Sequence, residues 1–139
     1  MVRVDTVPAS LVLAQAANES AWGTSRFARR ANNFFGVWCF TPGCGITPNR
    51  RDAGKTHEVR RYKSVQASVN HYIRMINTNN AYRELREIRA ELRDENRVNG
   101  LGLADGLLRY SERGPAYVRE LKQMIRYNNL HRYTRDYSA

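Results

Sequence analysis

Two carboxylates and a set of aromatic rings carry the chemical interest of this chain. Glu19 lies near the end of the run Leu11-Val12-Leu13-Ala14-Gln15-Ala16-Ala17-Asn18-Glu19-Ser20-Ala21-Trp22-Gly23. Val12, Ala16 and Glu19 follow i, i+4, i+7 spacing, which sets the carboxylate on the apolar stripe of a helix. Beside an indole and small aliphatic side chains it is partly shielded from water, and desolvation favours the protonated form of a carboxyl group. A carboxylic acid that keeps its proton near neutral pH is the general acid that glycosidic bond cleavage requires. Glu58, in Thr56-His57-Glu58-Val59, is the candidate second carboxylate, with Asp105 and Glu112 as rivals on composition alone. Carboxyl groups about 5–5.5 Å apart imply retention of configuration and about 6.5–9.5 Å imply inversion; chain spacing leaves that choice open.

The aromatic residues near these carboxylates include Trp22, Phe34, Phe35, Trp38, Tyr62, Tyr82, Tyr110 and Tyr117. Trp22 and Trp38 lie in or beside a Gly-rich region, where stacking on sugar rings is the functional reading. Tyr117 falls on the first turn of a helix opened by Gly114-Pro115, with its hydroxyl available to a cleft. Phe27 and Tyr72 are expected in the core. Cys39 and Cys44 are the only cysteines. They either close a small loop around Thr41-Pro42-Gly43 or remain two thiols in a tight turn. A zinc site is disfavoured, because two sulfurs need two further ligands and His57 is the only nearby histidine. No Gly-rich phosphate loop, His-x-x-x-His pair or Ser-His-Asp set is present, so neither metal nor cofactor is expected. Asn18-Glu19-Ser20 matches a glycosylation acceptor by chance, since a glycan has no place at a buried helix end.

The 139 residues read as one domain, residues 1–139, with 23 Lys and Arg against 13 Asp and Glu for a net charge of +10. That excess favours a polyanionic partner. The Arg-rich stretch Arg83-Glu84-Leu85-Arg86-Glu87-Ile88-Arg89-Ala90-Glu91 reads as a solvated helix face with i, i+4 pairs. It lacks the interleaved aromatics of a nucleic-acid platform, so no nucleic-acid partner is expected. No run has transmembrane length, and no export signal is visible in the numbered chain.

The elements that must position these groups are mostly helical. Val7-Pro8-Ala9-Ser10 opens the first helix and Gly23 suits its stop. Ser25 caps a short second helix through Arg30. Residues 32–57 read as irregular, a length that is usually functional, flanked by short strands over Phe35–Phe40 and Glu58–Tyr62. Ser64 caps the next helix, whose buried stripe is Val65, Val69, Ile73 and Ile76. Another helix covers 80–95, with Tyr82, Leu85, Ile88 and Leu92 inward. Gly100 and Gly102 break it, and a short helix covers about 103–110. The last helix faces inward through Tyr117, Leu121, Met124 or Ile125, and Asn128. The tail after Leu130 is expected to be loosely held.

Taken together, these residues resemble the glucosaminidase family, glycoside hydrolase family 73, and within it the Bax-type bacterial branch. Ala14 to Gly23 is similar to the family's Ala-Gln-Ala-Ala-x-Glu-Ser-x-Trp-Gly helix, and Asn33 to Gly36 to its Asn-x-Phe-Gly. Trp38 to Gly45, His57 to Tyr62 and Arg109 to Tyr117 are similar to further features of the branch, in the same order along the chain. The resemblance implies an α+β, mostly α, lysozyme-like domain with a small β-hairpin beside a substrate cleft. It implies hydrolysis of the β-1,4 bond after N-acetylglucosamine in peptidoglycan. Glu19 would be the acid, Glu58 the hairpin carboxylate and Tyr117 a cleft tyrosine. Trp22, Asn33, Phe35, Trp38, Tyr82 and Tyr110 are the substrate-contact candidates. The expected partner is the peptidoglycan glycan strand, met by a monomer in the bacterial periplasm or cell envelope, or after secretion. An N-terminal region of a longer protein is expected to lie outside this chain. The competing expectations are a lytic transglycosylase or muramidase on a similar scaffold, and a basic wall- or nucleic-acid-binding module without catalysis.

Overall fold

The computed structural model describes residues 4–134. It is an α+β chain, mostly helical, with one small antiparallel sheet. The helices are α1 (Ala9–Ser20), α2 (Arg26–Ala31), α3 (Val65–Thr78), α4 (Arg83–Asp94), α5 (Gly100–Ala104) and α6 (Pro115–Tyr127). The strands are β1 (Trp38–Cys39), β2 (Gly45–Ile46) and β3 (Glu58–Arg60). Single 3₁₀ turns lie at Asn80–Tyr82, Asp105–Leu107 and Leu130–Tyr133. The chain groups into two compact units. A sheet-bearing unit spans Ala16–Tyr72, and a helical unit takes the residues before and after it. No described helix is long and apolar enough to cross a membrane.

In the sheet-bearing unit, Ser25 caps α2 by accepting from the Ala28 N–H at 3.1 Å. Asn32, at φ 54°, ends that helix in the left-handed region. Ser64 accepts from Ala67 N–H at 3.0 Å and so opens α3 as its sequence predicts. The expected hairpin has a third strand: β3 is central, pairing Trp38 with Val59 and Cys39 with Glu58 on one side, and Ile46 with Val59 on the other. A two-residue strand carries no periodicity to read. The core of this unit is a stack of Phe35 on Tyr72, ring centroids 4.2 Å apart, with Ala28, Ala31 and Val59. Tyr72, Ser68 and Ile76 define the inner face of α3, while Val65 is exposed. Of the expected stripe, Ile76 is buried, Val69 and Ile73 form a half-buried flank and Val65 faces solvent, because Ser68 and Tyr72 take the innermost positions.

In the helical unit, Leu85, Leu103, Leu107, Tyr117, Leu121 and Ile125 are buried together. Gly100 does not break a helix but starts one. Asn99 caps α5 through the Gly102 N–H at 2.8 Å, and a Cβ on Gly100 would collide with Ser10 Oγ of α1. The break falls earlier, after Asp94, through Asn96 at φ 55°. The Arg-rich face of α4 also differs from the sequence reading. Arg86 and Arg89 are buried. Arg86 donates to the carbonyls of Ile76 and Asn79 at 3.0 and 2.8 Å. Arg89 donates to the carbonyls of Asp5 and Thr6, both at 3.2 Å. Arg93, half exposed, grips the Asp5 carboxylate through two bonds of 3.1 and 2.8 Å. Orphan carbonyls at the end of α3 and before α1 call for buried donors, and their position is a property of the fold that no helical period encodes. Past Leu130 a 3₁₀ turn runs to Tyr133, and Thr134 Oγ1 accepts from Ser10 N–H at 3.0 Å; the rest of the expected loose tail lies outside the described residues.

Candidate active site

Glu19 stands on the last turn of α1. The fully buried face of that helix is Leu11, Ala14, Gln15 and Ala17, and the Val12-Ala16-Glu19 stripe is its half-buried flank. The carboxylate is thus held at the margin of the core. Immediately beyond it the chain turns through three left-handed residues, Ala21, Trp22 and Gly23, at φ 51°, 57° and 81°. Two of these bear side chains, a conformation costing roughly 1–2 kcal/mol each. Trp22 N–H on Ala17 O at 2.8 Å and Gly23 N–H on Ser20 Oγ at 2.8 Å hold the corner. Trp22 itself projects into solvent, 61% exposed.

The backbone of Gly36 lies close to the Glu19 carboxyl. A Cβ at Gly36, where φ is +68°, would sit 2.9 Å from Glu19 Oε2 and 3.6 Å from Cδ. Asn33 builds the turn that brings Gly36 there. Its Oδ1 accepts from the N–H groups of Phe35, Gly36 and Val37 at 3.3, 2.9 and 3.3 Å. Its Nδ2 donates to the carbonyls of Val37 and Arg60 at 3.0 and 2.9 Å. Asn33 and Phe35 are buried, Phe35 on Tyr72. The Asn33-Phe34-Phe35-Gly36 motif is thereby a device: Asn ties the turn, Phe anchors it, and Gly leaves room for a carboxyl.

Glu58 sits on the central strand and is braced twice. Its Oε2 accepts from Gly43 N–H at 3.0 Å and its Oε1 from Gly45 N–H at 2.9 Å. These two bonds, led by Gly43, hold its carboxyl below the ordinary carboxylate range; partial desolvation opposes them, and Arg51 and Arg61 reinforce them. Gly43 belongs to the turn closed by the Cys39–Cys44 disulfide, Cα–Cα 6.3 Å. The open question at the two cysteines is resolved as a bond, which removes both as thiolate metal ligands. The ring of Trp38 stacks on His57 with centroids 3.6 Å apart and 13° between planes, and Trp38 remains 48% exposed. The loop that precedes Glu58 is pinned by arginines: Arg26 donates to Thr47 O at 2.9 Å and Arg51 to His57 O at 3.0 Å.

The remaining candidates belong to the helical unit. Tyr82, Tyr110 and Tyr117 form a row with centroids 5.8 Å apart at each step. Tyr117 is buried, and its hydroxyl accepts from Gln15 Nε2 at 3.0 Å. Tyr82 is buried and Tyr110 partly so. Of the rival carboxylates, Asp105 pairs with Lys122 at 2.7 Å and Glu112 is exposed. The structure therefore brings together Glu19, Trp22, Asn33, Phe35, Trp38, Glu58 and the disulfide in one unit, and the tyrosines in the other.

Charge divides the same way. The sheet-bearing unit holds Arg26, Arg29, Arg30, Arg50, Arg51, Lys55, Arg60, Arg61 and Lys63, and its acids are Glu19, Asp52 and Glu58. The ion pairs Arg93–Asp5, Arg97–Glu95, Arg113–Glu120 and Lys122–Asp105 lie in the helical unit. The site-bearing unit is thus strongly cationic, and none of its cations enters those pairs. Two site features escaped the sequence reading: the closeness of Gly36 to Glu19, and the exposed Phe40. The second had a signal, since Trp38-Cys39-Phe40 alternates around a cysteine in a strand period.

A half-buried acid at a helix end and a braced carboxylate on a short sheet fit the carbohydrate-cleaving class. The glucosaminidase family, described as mannosyl-glycoprotein endo-beta-N-acetylglucosaminidase, matches residues 2–130, and the chain belongs to it. It is also similar to Protein bax of Escherichia coli (strain K12), with 38% identity over 127 residues. That match covers 91% of this chain and 44% of the relative, so the chain spans less than half of that protein's length.

Proposed function

We propose that this chain is a peptidoglycan hydrolase that cleaves the β-1,4 bond between N-acetylglucosamine and N-acetylmuramic acid, with Glu19 as general acid. The observation that carries the reading is the Glu19 carboxyl close to the side-chain-free backbone of Gly36. Gly36 leaves room for the group at the margin of the core, where Glu19 is half-buried, and a partly exposed carboxyl suits proton delivery to a leaving oxygen. Family membership supports the sugar chemistry. The description of the family names a glycoprotein glycan, but the cationic sheet-bearing unit favours an anionic polymer such as the bacterial wall. The disulfide supports a site of action outside the reducing cytoplasm, in the periplasm, the envelope or the medium.

Glu58 enters this reading in one of two ways. Released from its loop amides, it activates water on the far face of the sugar and gives inversion. Retained there, it stays ionised as an electrostatic partner while the substrate's own N-acetyl oxygen attacks. The two occupied carboxylate oxygens favour the second. The same observation keeps a lytic transglycosylase in contention, since that reaction also needs a single acid.

Product analysis on purified peptidoglycan tests all of this. A reducible N-acetylglucosamine end supports the proposal, and a 1,6-anhydro-muramic end supports the transglycosylase. Replacing Glu19 by Gln is expected to lower turnover about 10²–10⁴-fold with binding retained. Full activity in E19Q would refute the assignment.

A further inference from the structure

Both tryptophans of the chain are exposed, and the most exposed aromatic of the sheet-bearing unit is Phe40, at 66%. Phe40 follows β1 directly, two positions after Trp38. In extended chain the residues i and i+2 lie on one face, about 7 Å apart. The residue between them, Cys39, is buried and tied to Cys44. Trp38 and Phe40 are thus exposed on either side of a buried, covalently pinned cysteine, Trp38 at the start of β1 and Phe40 just past its end.

The Trp38 ring is held in place before any ligand arrives, and the backbone turn that follows Phe40 is fastened. His57 is buried and covers one face of the Trp38 indole, so the exposure that remains belongs to the opposite face and edge. Phe40 opens the turn fastened by the disulfide at Cys44 and by the Glu58 carboxylate on Gly43 and Gly45. Exposed aromatic surface on a fixed support loses little conformational freedom on binding, and large rings left in water mark interaction sites.

We infer that Trp38 and Phe40 form a two-ring platform for successive sugar rings of a β-1,4-linked N-acetylhexosamine chain, with His57 bracing Trp38. The pyranose faces present C–H groups to the rings, and the N-acetyl groups lie outside the stack. This inference rests on the carbohydrate reading above and assigns Phe40 and His57 roles within it.

The test uses the full chain in the E19Q background, with the tetrasaccharide of β-1,4-linked N-acetylglucosamine as probe, followed by calorimetry and tryptophan emission. The parent E19Q chain should bind and shift its emission. F40A should weaken binding about tenfold with unchanged thermal stability, because that ring is already solvated. H57A should weaken binding and alter the emission response, and H57F, which restores a flat ring behind Trp38, should recover both. Tetrasaccharide affinity in F40A equal to the parent, or no binding by the parent, overturns the platform. Turnover of wall polymer by the Glu19 chain, measured in parallel, separates the two readings. Hydrolysis without Phe40-dependent binding leaves the function standing and removes the platform. Phe40-dependent binding without hydrolysis does the reverse.

Discussion

Gly36, at φ +68°, leaves the space beside the Glu19 carboxyl open: a methyl group there would stand 2.9 Å from Glu19 Oε2. The pairing of an acid with a missing side chain gives the site its shape and makes the first prediction direct.

Gly36→Ala introduces both a clash and a positive-φ alanine. It is expected to cost about 1–2 kcal/mol of stability and to lower turnover more than tenfold by displacing the carboxyl. Urea unfolding and initial rates on peptidoglycan check the two effects. Wild-type turnover in G36A would mean that the carboxyl does not need this seat.

Asn33 makes five hydrogen bonds from a buried position. Asn33→Leu strips the partners of three amides and two carbonyls. At roughly 1 kcal/mol for each net bond, a loss of about 3 kcal/mol or more is expected. Asn33→Asp keeps the acceptor side and loses the donors, so it should fall between the wild type and N33L in a denaturant series.

Arg89 and Arg93 lie one turn apart on α4 and should differ sharply. Burial lowers the pKa of Arg89, and its role is to satisfy buried carbonyls. Arg89→Met is expected to cost about 3 kcal/mol. Arg93→Met breaks an ion pair that is 43% and 24% exposed at its two ends, and should cost less than about 1 kcal/mol. Equal costs by thermal melting would contradict the division drawn here between buried and exposed guanidinium groups.

The pH dependence has an acid and an alkaline arm. The pKa of Glu58 is depressed from 4.5, chiefly by the Gly43 and Gly45 amides. Its stabilisation is present above that value and is lost as pH falls through the lower folded value. Glu58→Gln should flatten the acid arm of the stability curve. Tyr62 is pushed from 10.0 up to about 12, mainly by burial, with Arg60 opposing, and its hydroxyl bonds His71 Nδ1. Its contribution is present below pH 10 and disappears as pH rises toward 12. Tyr62→Phe should remove that alkaline loss, as seen by circular dichroism at stepped pH.

Much of this organisation is written locally and was read from the chain. Ser25 and Ser64 as caps, Gly114-Pro115 as a helix start, and the helical placement of Glu19 all follow from short-range rules. The features that were missed depend on partners distant in sequence. Arg86 and Arg89 look like solvent-facing charges until the carbonyls of Ile76, Asn79, Asp5 and Thr6 are in place. Gly100 looks like a breaker until Ser10 lies against it. Asn33 and Phe35 are legible as a motif, but only the fold shows that Asn33 binds backbone and Phe35 binds Tyr72. The pairing of Cys39 with Cys44 was open because five-residue spacing permits either state. The glycosidase expectation came from the Glu19 register together with the family resemblance, and the family match supports it at the level of class.

The uneven distribution of ion pairs has a consequence for handling the protein. In dilute buffer, like charge on residues 16–72 pushes that half of the chain toward opening, while the other half draws a small benefit from its attractions. Added electrolyte damps both influences at once. Ionic strength is therefore a dial that steadies residues 16–72, where positive charge is least compensated, so a buffer chosen to keep this protein folded should not be salt-free.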